Sequence, residues 1–395
     1  MILFVLMGAC LLTAVCLAAS GGAAIRREPS FPEGGAAPFW PDVGVVVPAA
    51  GAAPELPRVL ASLLSQDYPS YDLVFVTRDM EDPASPVVAG TVGDHPSARH
   101  LLSGPASGCG QKNHNLLRGV SALGHDPSVL VFCDSTRIAP PRWLKSLVAP
   151  VARGEVEVTS GYHHGIPLDD RLSTLGRAFS ILILYLTKGV PLFNQPWGGG
   201  TALTREAFER LGVEQAWSRN VVDDVSLAAL LKTNRVRVGH SPGAEVITPL
   251  KGETPAAWLQ WLVRQWFYLK VCLPGSWLAA GFACYLFCGI VLLAAAGAVC
   301  AVPGWVTGPG ALVFPGFLGL YAALALTLRL LHPDPGPPFR WLAAAFLAVP
   351  AAAWAHGLTL FTMEITWRGI RYKVKWKGVV DERGGRSSSF ENGEC

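Results

Sequence analysis

LVFCDST, residues 130–136, is the stretch from which the fold can be worked out. Its apolar start, from Leu130 to Phe132, is typical of a strand buried inside a parallel sheet, and Asp134 stands at the carboxyl end of that strand. Open α/β sheets bind ligands in the crevice beyond the carboxyl ends of their strands. The sequence therefore predicts that Asp134 lies in a binding crevice.

Two further acidic positions follow the same pattern. Residues 71–79, YDLVFVTRD, form an apolar run that ends in Asp79, and Asp223 with Asp224 precedes the helix-like VSLAALLK. An aspartate after a strand is also ordinary turn chemistry, which is the alternative for each of them taken singly. Together they indicate one polar crevice.

The order of the other elements predicts an α/β domain. Residues 43–47 (VGVVV), 59–64 and 71–77 read as strand, helix and strand, a βαβ unit of right-handed connection. Residues 81–110 are rich in Pro, Gly and Ser and are expected to be mostly loop. Further helices are predicted at 113–122, 143–151, 178–186 and 204–211, and further strands at 156–161, 236–239 and 245–248.

Long apolar stretches predict membrane helices at both ends of the chain. No charged residue occurs in 271–328, and 277–302 and 310–328 reach the length of about 20 residues that spans a bilayer. Residues 341–363 are a third candidate, although they contain Pro350 and His356. Three spans would place the C-terminus outside, whereas two spans with a re-entrant third would keep it inside.

The N-terminal apolar stretch, 2–19, is predicted to be an anchor. A cleaved signal peptide is the alternative, but the basic residues Arg26 and Arg27 follow the apolar run instead of preceding it. The positive-inside rule then puts residue 26 and the domain after it in the cytoplasm.

Charge and cysteine content narrow the class of protein. The formal net charge of +3 argues against a nucleic-acid partner. The sequence has no CxxC pair, so it gives no sign of a zinc site. Basic residues are concentrated in 367–377, WRGIRYKVKWK, which suits anionic lipid headgroups. The adjacent His163 and His164 are interpreted as structural, because neighbours on a strand point apart.

Five strings in chain order carry a family resemblance. They are QDYPSYDLVFVTRDMEDPA (66–84), GQKNHNLLRG (110–119), FCDSTRI (132–138), VVDDVSLA (221–228) and TWRGIRYKV (366–374). With the membrane spans, this series resembles the ceramide glucosyltransferases, which are inverting, membrane-anchored glycosyltransferases of the GT-A (Rossmann-like) fold. The resemblance implies a nucleotide-sugar domain between N-terminal and C-terminal transmembrane helices.

The resemblance also implies roles for residues around the donor. Asp134 would bind a divalent cation, Mg²⁺ or Mn²⁺, that bridges the donor phosphates, since these ions prefer oxygen ligands. The other implied donor-binding residues are Asp79, Asp82, Lys112, Ser135 and Arg264.

Asp224 matches the position of the family's catalytic base. It would take the proton from the acceptor hydroxyl, and the N-terminus of its helix is expected to keep the carboxyl ionised at neutral pH. Asp223 would support it, with helix capping as the alternative for the pair. Gly199 and Gly200 are expected to let the backbone approach the sugar or the acceptor.

One family motif is altered. The family has Q/R-x-x-R-W before its membrane spans, and here the segment reads WLVRQW, residues 261–266. Arg264 fits the motif, Gln265 takes the place of its tryptophan, and Trp266 comes one position late. Gln265 and Trp266 are nevertheless assigned to the acceptor side.

These interpretations give one leading function. The chain is predicted to move a single hexose or N-acetylhexosamine from a UDP-sugar to the hydroxyl of a membrane lipid, of ceramide type or another such as a hopanoid. A processive polysaccharide synthase and a non-enzymatic transporter or scaffold are the alternatives. The expected location is a bacterial inner membrane, or the Golgi or endoplasmic reticulum of a eukaryote.

The same interpretations divide the chain into six parts. They are an anchor at 1–20, a linker at 21–42, a cytoplasmic catalytic domain at 43–254, an interfacial helix at 255–270, a membrane region at 271–365, and a basic segment with a polar tail at 366–395.

Overall fold

The computed structural model of the protein describes residues 2–26, 40–51, 53–124 and 126–386. Its strands are β1 (Val43–Pro48), β2 (Tyr71–Thr77), β3 (Ala98–Leu102), β4 (Val129–Phe132), β5 (Val158–Pro167), β6 (Thr201–Thr204), β7 (Val238–Leu250), β8 (Glu364–Trp367), β9 (Ile370–Val374) and β10 (Val380–Arg386). Its helices are α1 (Ile2–Ile25), α2 (Leu56–Leu64), α3 (Ala84–Val92), α4 (Gln111–Ser121), α5 (Trp143–Ala152), α6 (Leu172–Leu186), α7 (Arg205–Arg210), α8 (Val213–Trp217), α9 (Asp224–Thr233), α10 (Pro255–Cys272), α11 (Pro274–Ala301), α12 (Gly310–Leu328) and α13 (Pro338–Thr359).

A seven-stranded sheet forms the centre of the α/β domain at 43–254, the domain that is predicted to be catalytic, in the order β3-β2-β1-β4-β6-β5-β7. The first four of these strands run parallel, and β6 is antiparallel to both β4 and β5. Helices cover both faces: Val45 of β1 packs in a core with Leu60 of α2, and the next residue, Val46, packs in another with Leu116 of α4. The predicted α/β class is confirmed.

The binding crevice follows from the strand order. β1 lies between β2 and β4, so the strand order reverses at β1. The chain connections on its two sides run in opposite directions and open a crevice at its carboxyl end. Val46 of β1 lies beside Phe132 of β4, and Asp134 comes two residues beyond the end of β4. The predicted position of Asp134 at the sheet's carboxyl edge is therefore confirmed.

Segments with weak local signals were predicted wrongly. Residues 81–110 contain α3 and the edge strand β3, because Val88 packs into the core and β3 pairs with β2. The two short strands expected at 236–239 and 245–248 form the single strand β7, with a register shift opposite Ser160 and Tyr162. Tertiary pairing outweighs local propensity in such strands.

Among the described residues, four helices are long and apolar enough to cross a membrane, namely α1, α11, α12 and α13. α1 continues to Ile25, so the linker predicted to start at residue 21 begins later, and residues 27–39 lie outside the described residues. Its first half packs on the α11–α12 pair, where Met7 joins a core with Ile290. Its last turns reach the catalytic domain, where Gly21 lies against Leu186.

α13 is placed differently from the other three. Near its start, Trp341 donates a hydrogen bond to Ala325 at the end of α12, and near its end His356 stacks on Trp277 at the start of α11. Both of these points belong to the end of the α11–α12 hairpin that adjoins the catalytic domain. α13 therefore lies across that end of the hairpin, along α6 and α10.

The C-terminal segment folds back onto the catalytic domain. β8, β9 and β10 form an antiparallel sheet in the order β10-β9-β8, and Tyr372 packs with Val221 and Phe267. The polar tail predicted within 366–395 includes a paired strand, since β10 pairs with β9. An apolar face on β9, with alternate residues buried, gives this segment a core to join.

Candidate active site

Lys112 and three aspartates form the centre of the crevice. The Lys112 ammonium lies 2.8 Å from Asp134 Oδ1 and 2.9 Å from Asp223 Oδ2. Burial alone lowers the pKa of Lys112, but the charges of Asp134, Asp223 and Asp224 outweigh it and raise that pKa above its usual range. The lysine is therefore held as a cation among carboxylates.

Close backbone contact brings these residues together from three parts of the chain. Lys112 stands in the first turn of α4, Asp134 follows β4, and Asp223 precedes α9. Gly110 donates to the Asn220 carbonyl at 2.9 Å, and a Cβ at Gly110 would lie 2.4 Å from the carbonyl oxygen of Val221. Only glycine permits this approach, which joins the start of α4 to the acidic segment.

Asp224 lies beside the cluster at the start of α9. Its Oδ2 accepts from Gly198 N at 3.1 Å and its Oδ1 from its neighbour Val225 N at 2.7 Å. Burial and the adjacent Asp223 carboxylate raise the pKa of Asp224 to about 6, against the opposing charge of Lys112. The predicted influence of the helix N-terminus is outweighed, because burial and Asp223 shift this pKa upward while the hydrogen bonds from Gly198 N–H and Val225 N–H act in the opposite direction.

The capping interpretation of Asp223 was wrong. Its side chain makes no capping hydrogen bond at the start of α9 and pairs with Lys112 instead. The Asp223 backbone carbonyl accepts a hydrogen bond from the Trp217 indole N–H at 3.0 Å, which holds the acidic segment before α9 in place. Asp223 thus acts on Lys112 and on Asp224 through its charge.

The three glycines at 198–200 have different roles. Gly198 is in the cluster, because a Cβ there would lie 2.6 Å from the Lys112 ammonium and 2.9 Å from Asp223 Oδ2. At Gly199 a Cβ would meet the ring of Trp197 at 2.2 Å, and at Gly200 the ring of Trp143 at 3.3 Å. Gly199 and Gly200 therefore allow aromatic packing beneath the loop, and Gly198 lies against Lys112 and Asp223. The approach of the loop backbone to the sugar or the acceptor stays a prediction.

Asp79 and Asp82 lie at a second point along the same edge. Asp79 accepts from Arg78 Nε at 2.5 Å, and this interaction lowers the pKa of Asp79. Asp82 Oδ1 accepts from Gly51 N at 2.8 Å and from Ala84 N at 3.0 Å. Asp82 thereby fixes the loop that follows β1, and the nucleoside-binding role of both residues stays a prediction.

The residues predicted on α10 separate onto different faces. Arg264 and Tyr268, one helical turn apart, lie toward the cluster: burial raises the pKa of Tyr268, and the charges of Arg264, Asp224 and Asp223 all act on its hydroxyl. Trp266 instead contacts His356 of α13 edge-on, at 4.9 Å between ring centroids. Gln265 donates to the Trp261 carbonyl of its own helix, so neither Gln265 nor Trp266 is brought to the cluster.

Sequence reasoning overlooked Lys188. This buried lysine donates to the Gln195 carbonyl, three residues before Gly198, and lies 5.0 Å from the centre of the Tyr162 ring. Burial lowers the pKa of Lys188 to about 7, with Asp224 opposing. In the sequence, Lys188 is only the charged residue that follows the apolar run 178–186. No sequence pattern therefore indicates that it lies behind the Gly198 loop.

The acidic residues can hold a metal only with help from a substrate. Among the described residues, no group of three or more His, Cys, Asp or Glu side chains could enclose an ion. Asp134 uses one carboxylate oxygen on Lys112, and Ser135 beside it is buried. Mg²⁺ is commonly bound by one or two carboxylates together with substrate phosphates and water, and this donor set fits that pattern.

Two solved structures with bound nucleotides are similar to this chain. The mannosyltransferase PcManGT from Pyrobaculum calidifontis, solved with GDP-Man and Mn²⁺, matches with a TM-score of 0.52 and 19% identity over 90% of this chain and 98% of that one. Glucosyl-3-phosphoglycerate synthase from Mycobacterium tuberculosis, solved with Mn²⁺, UDP and glucosyl-3-phosphoglycerate, matches with a TM-score of 0.35 and 16% identity over 58% of this chain and 80% of that one. The fold is that of the GT-A glycosyltransferases.

A family model matches almost the full length of the sequence. The model of glycosyl transferase family 21 matches residues 3–380. The chain belongs to this family, and the resemblance to ceramide glucosyltransferases is confirmed.

A prediction concerns Asp223→Asn. The change removes a buried charge from Lys112, and hydrogen bonds to charged groups contribute about 1.5–3 kcal/mol, so the free energy of unfolding should fall by about that amount. Loss of the neighbouring negative charge should also lower the pKa of Asp224. Urea unfolding measures the first effect and the pH dependence of turnover the second.

Asp67→Asn is the matched control for this measurement. Asp67 pairs with Lys145 at 2.7 Å but its side chain is 51% exposed, so the expected loss is at most about 1 kcal/mol. Equal stability losses in the two variants would show that Asp223 is not a buried partner of Lys112.

Proposed function

We propose that the protein is an inverting glycosyltransferase that moves one hexose or N-acetylhexosamine from a UDP-sugar to a hydroxyl of a membrane lipid. The observation that carries the proposal is the Lys112, Asp134 and Asp223 cluster with Asp224 beside it, at the carboxyl edge of a GT-A sheet. Such a site has a cation for a diphosphate and a separate carboxylate for a proton.

In the proposed reaction the acceptor oxygen attacks the anomeric carbon as its proton passes to Asp224. The bond from that carbon to the diphosphate breaks, and its electron pair leaves on the diphosphate oxygen. Gly198 N–H and Val225 N–H hold the Asp224 carboxylate in place, and its pKa of about 6 suits a base near neutral pH. Attack from the face opposite the leaving group inverts the anomeric centre.

Lys112 is the residue proposed to meet the leaving diphosphate. Its ammonium is already anchored between Asp134 and Asp223, so it needs little rearrangement to present its charge. Arg264, on the cluster side of α10, is placed to add a second positive charge. Asp134, beside Ser135, is proposed to hold Mg²⁺ or Mn²⁺, and such an ion, when bound, supplies Lewis-acid stabilisation to the departing diphosphate.

The substrates are inferred at two levels. UDP as the donor nucleotide follows from the family resemblance, and the PcManGT complex contains GDP-Man, so the donor nucleotide needs a direct measurement. A lipid acceptor is supported by the apolar surroundings of the site, because α10 beside the cluster packs on α13 and on the α11–α12 hairpin. A ceramide-type or hopanoid acceptor remains the proposal for its identity.

The membrane arrangement is proposed to have three crossing helices. α1, α11 and α12 would cross, while α13 would lie at the cytoplasmic surface, because both of its ends contact the same end of the α11–α12 hairpin. Arg26 at the end of α1 supports a cytoplasmic position for the catalytic domain under the positive-inside rule. The basic C-terminal sheet lies on that side as well, which corresponds to the re-entrant alternative.

Asp224→Asn tests the base. The amide keeps the size of the carboxylate but does not take the proton, so turnover should fall by at least about 10²-fold while affinity for the UDP-sugar changes little. Wild-type turnover should rise with pH through about 6, because the ionised carboxylate is the active form. The residual activity of the variant should lack this rise.

Asp223→Asn is the comparison for that experiment. Near wild-type turnover in Asp224→Asn together with an inactive Asp223→Asn would move the base to Asp223.

Asp134→Ala tests the metal proposal. The variant should lose transfer activity, and a chelator should have the same effect on the wild-type protein, because the described residues contain no group of three or more His, Cys, Asp or Glu side chains that could replace Asp134 as an ion site. Restoring Mg²⁺ or Mn²⁺ should recover wild-type activity but not that of the variant. Full activity in excess chelator would contradict the proposal.

Cysteine labelling tests the membrane arrangement. An impermeant thiol reagent applied to intact cells should label Thr307→Cys, in the loop between α11 and α12, and should not label Ser70→Cys or Lys377→Cys, all three positions being exposed. The unmodified protein gives the background from native cysteines. Labelling of Lys377→Cys with protection of Ser70→Cys would show that α13 crosses the membrane.

A further inference from the structure

The hairpin of β8 and β9 has an unusual turn. Trp367 pairs with Ile370, which leaves a two-residue loop of Arg368 and Gly369. Both loop residues have positive φ, +47° and +72°, as in a type I′ turn. Asn or Gly is favoured at the first of these positions, and a side chain as large as arginine is unfavourable there. Backbone strain of this kind is found mostly where the side chain has a function.

The Arg368 side chain reaches the crevice. Its Nη1 donates to the Ala50 carbonyl in the loop after β1, and lies 3.0 Å from where a Cβ of Gly51 would be. This is the loop whose Gly51 N–H is held by Asp82. A residue close to the C-terminus therefore meets the carboxyl end of the first strand of the sheet.

Much of the guanidinium remains available for a ligand. It packs over the Trp367 ring at 5.6 Å, and Ala50 takes one of its five N–H donors. In the part of the chain that the structure describes, Arg368 has no carboxylate partner. The other arginine of the hairpin differs, because Arg371 is paired with Glu364.

The hairpin is also joined to the diphosphate side of the crevice. The buried Tyr372 hydroxyl accepts from Gln111 N at 3.2 Å, next to Lys112. Arg368 stands four residues away along the hairpin, roughly 13 Å at the rise of a strand. Tyr372 thus lies near the Lys112 end of the crevice, and Arg368 lies near the end formed by the β1 loop and Asp82.

We propose that Arg368 is a donor-binding residue, whose guanidinium contacts the nucleoside of a nucleoside diphosphate bound along the crevice. A guanidinium plane stacks on a base and hydrogen-bonds to its edge, which gives the exposed side chain a ligand of suitable chemistry. The inference rests on the proposed sugar-nucleotide donor. It gives the C-terminal sheet a part in substrate binding.

Arg368→Asn separates binding from folding. Asparagine suits positive φ, so the variant should unfold at the same temperature as the wild-type protein or a higher one. Its dissociation constant for UDP, measured by calorimetry, should rise about tenfold, as expected for one lost charged contact. The KM for the donor should rise by a similar factor, with kcat within about twofold of wild type.

Arg371→Asn is the matched control, since it removes the same charge from the same hairpin. Its UDP affinity should stay within about twofold of wild type, because Arg371 is engaged by Glu364. An equal loss of affinity in both variants, or no loss in Arg368→Asn, would overturn the proposal.

Two further measurements identify the ligand of Arg368. Inhibition by pyrophosphate should be the same in Arg368→Asn and wild type, and weaker inhibition in the variant would overturn the assignment to the nucleoside. The UDP affinity of Arg368→Asn relative to wild type should also be the same in nanodiscs of phosphatidylcholine and of phosphatidylglycerol. If the variant loses UDP affinity only in phosphatidylglycerol, Arg368 serves the membrane surface and the proposal is wrong.

The proposed donor is tested separately in the same experiment. Wild-type protein that binds GDP and not UDP would refute UDP as the donor nucleotide. The ratio of wild-type to variant affinity for GDP would then test Arg368.

Discussion

A buried ammonium surrounded by carboxylates is the constraint on which the site depends. Lys112 loses hydration inside the crevice, and Asp134 and Asp223 compensate by direct contact. One positive charge faces three negative charges, including Asp224, so the cluster retains an excess of negative charge. Burial, and after it the charge of Asp223, raises the pKa of Asp224 to about 6 against the opposing charge of Lys112, so the arrangement that holds the lysine also sets the proton affinity of the proposed base.

The constraint extends to distant parts of the chain. The acidic segment before α9 is fixed on one side by Gly110 and on the other by the C-terminal sheet, where Val221 N donates to Gly378 O and Val380 N to Arg219 O, at 2.9 and 2.8 Å. A Cβ at Gly378 would lie 2.3 Å from the Asn220 amide oxygen, so this contact also requires glycine. The last strands of the chain therefore support the carboxylates as directly as the central sheet does.

Local signals decided what could be predicted from the sequence. Continuous apolar runs identified β2 and β4, and Asp79 and Asp134 after them gave the edge of the sheet, because burial on both faces leaves a pattern in the chain itself. Whether Asp223 caps the helix or forms an ion pair depends on the position of Lys112, and local sequence patterns do not contain that information. The same holds for Lys188 and for the altered motif on α10, whose Trp266 is used in packing against α13.

The arrangement of helices and the chemistry of the site constrain each other. The proposed base needs burial to titrate near pH 6, and the hydroxyl of the proposed lipid acceptor must reach it while the lipid chains stay in an apolar environment. α10 meets both requirements, because Tyr268 and Arg264 lie toward the acids while Trp266 packs on α13 at the end of the α11–α12 hairpin. With α13 along the surface, as proposed, the acceptor would approach between the catalytic domain and the membrane. Burial of Asp224 and access for a lipid would then come from the same layer of helices.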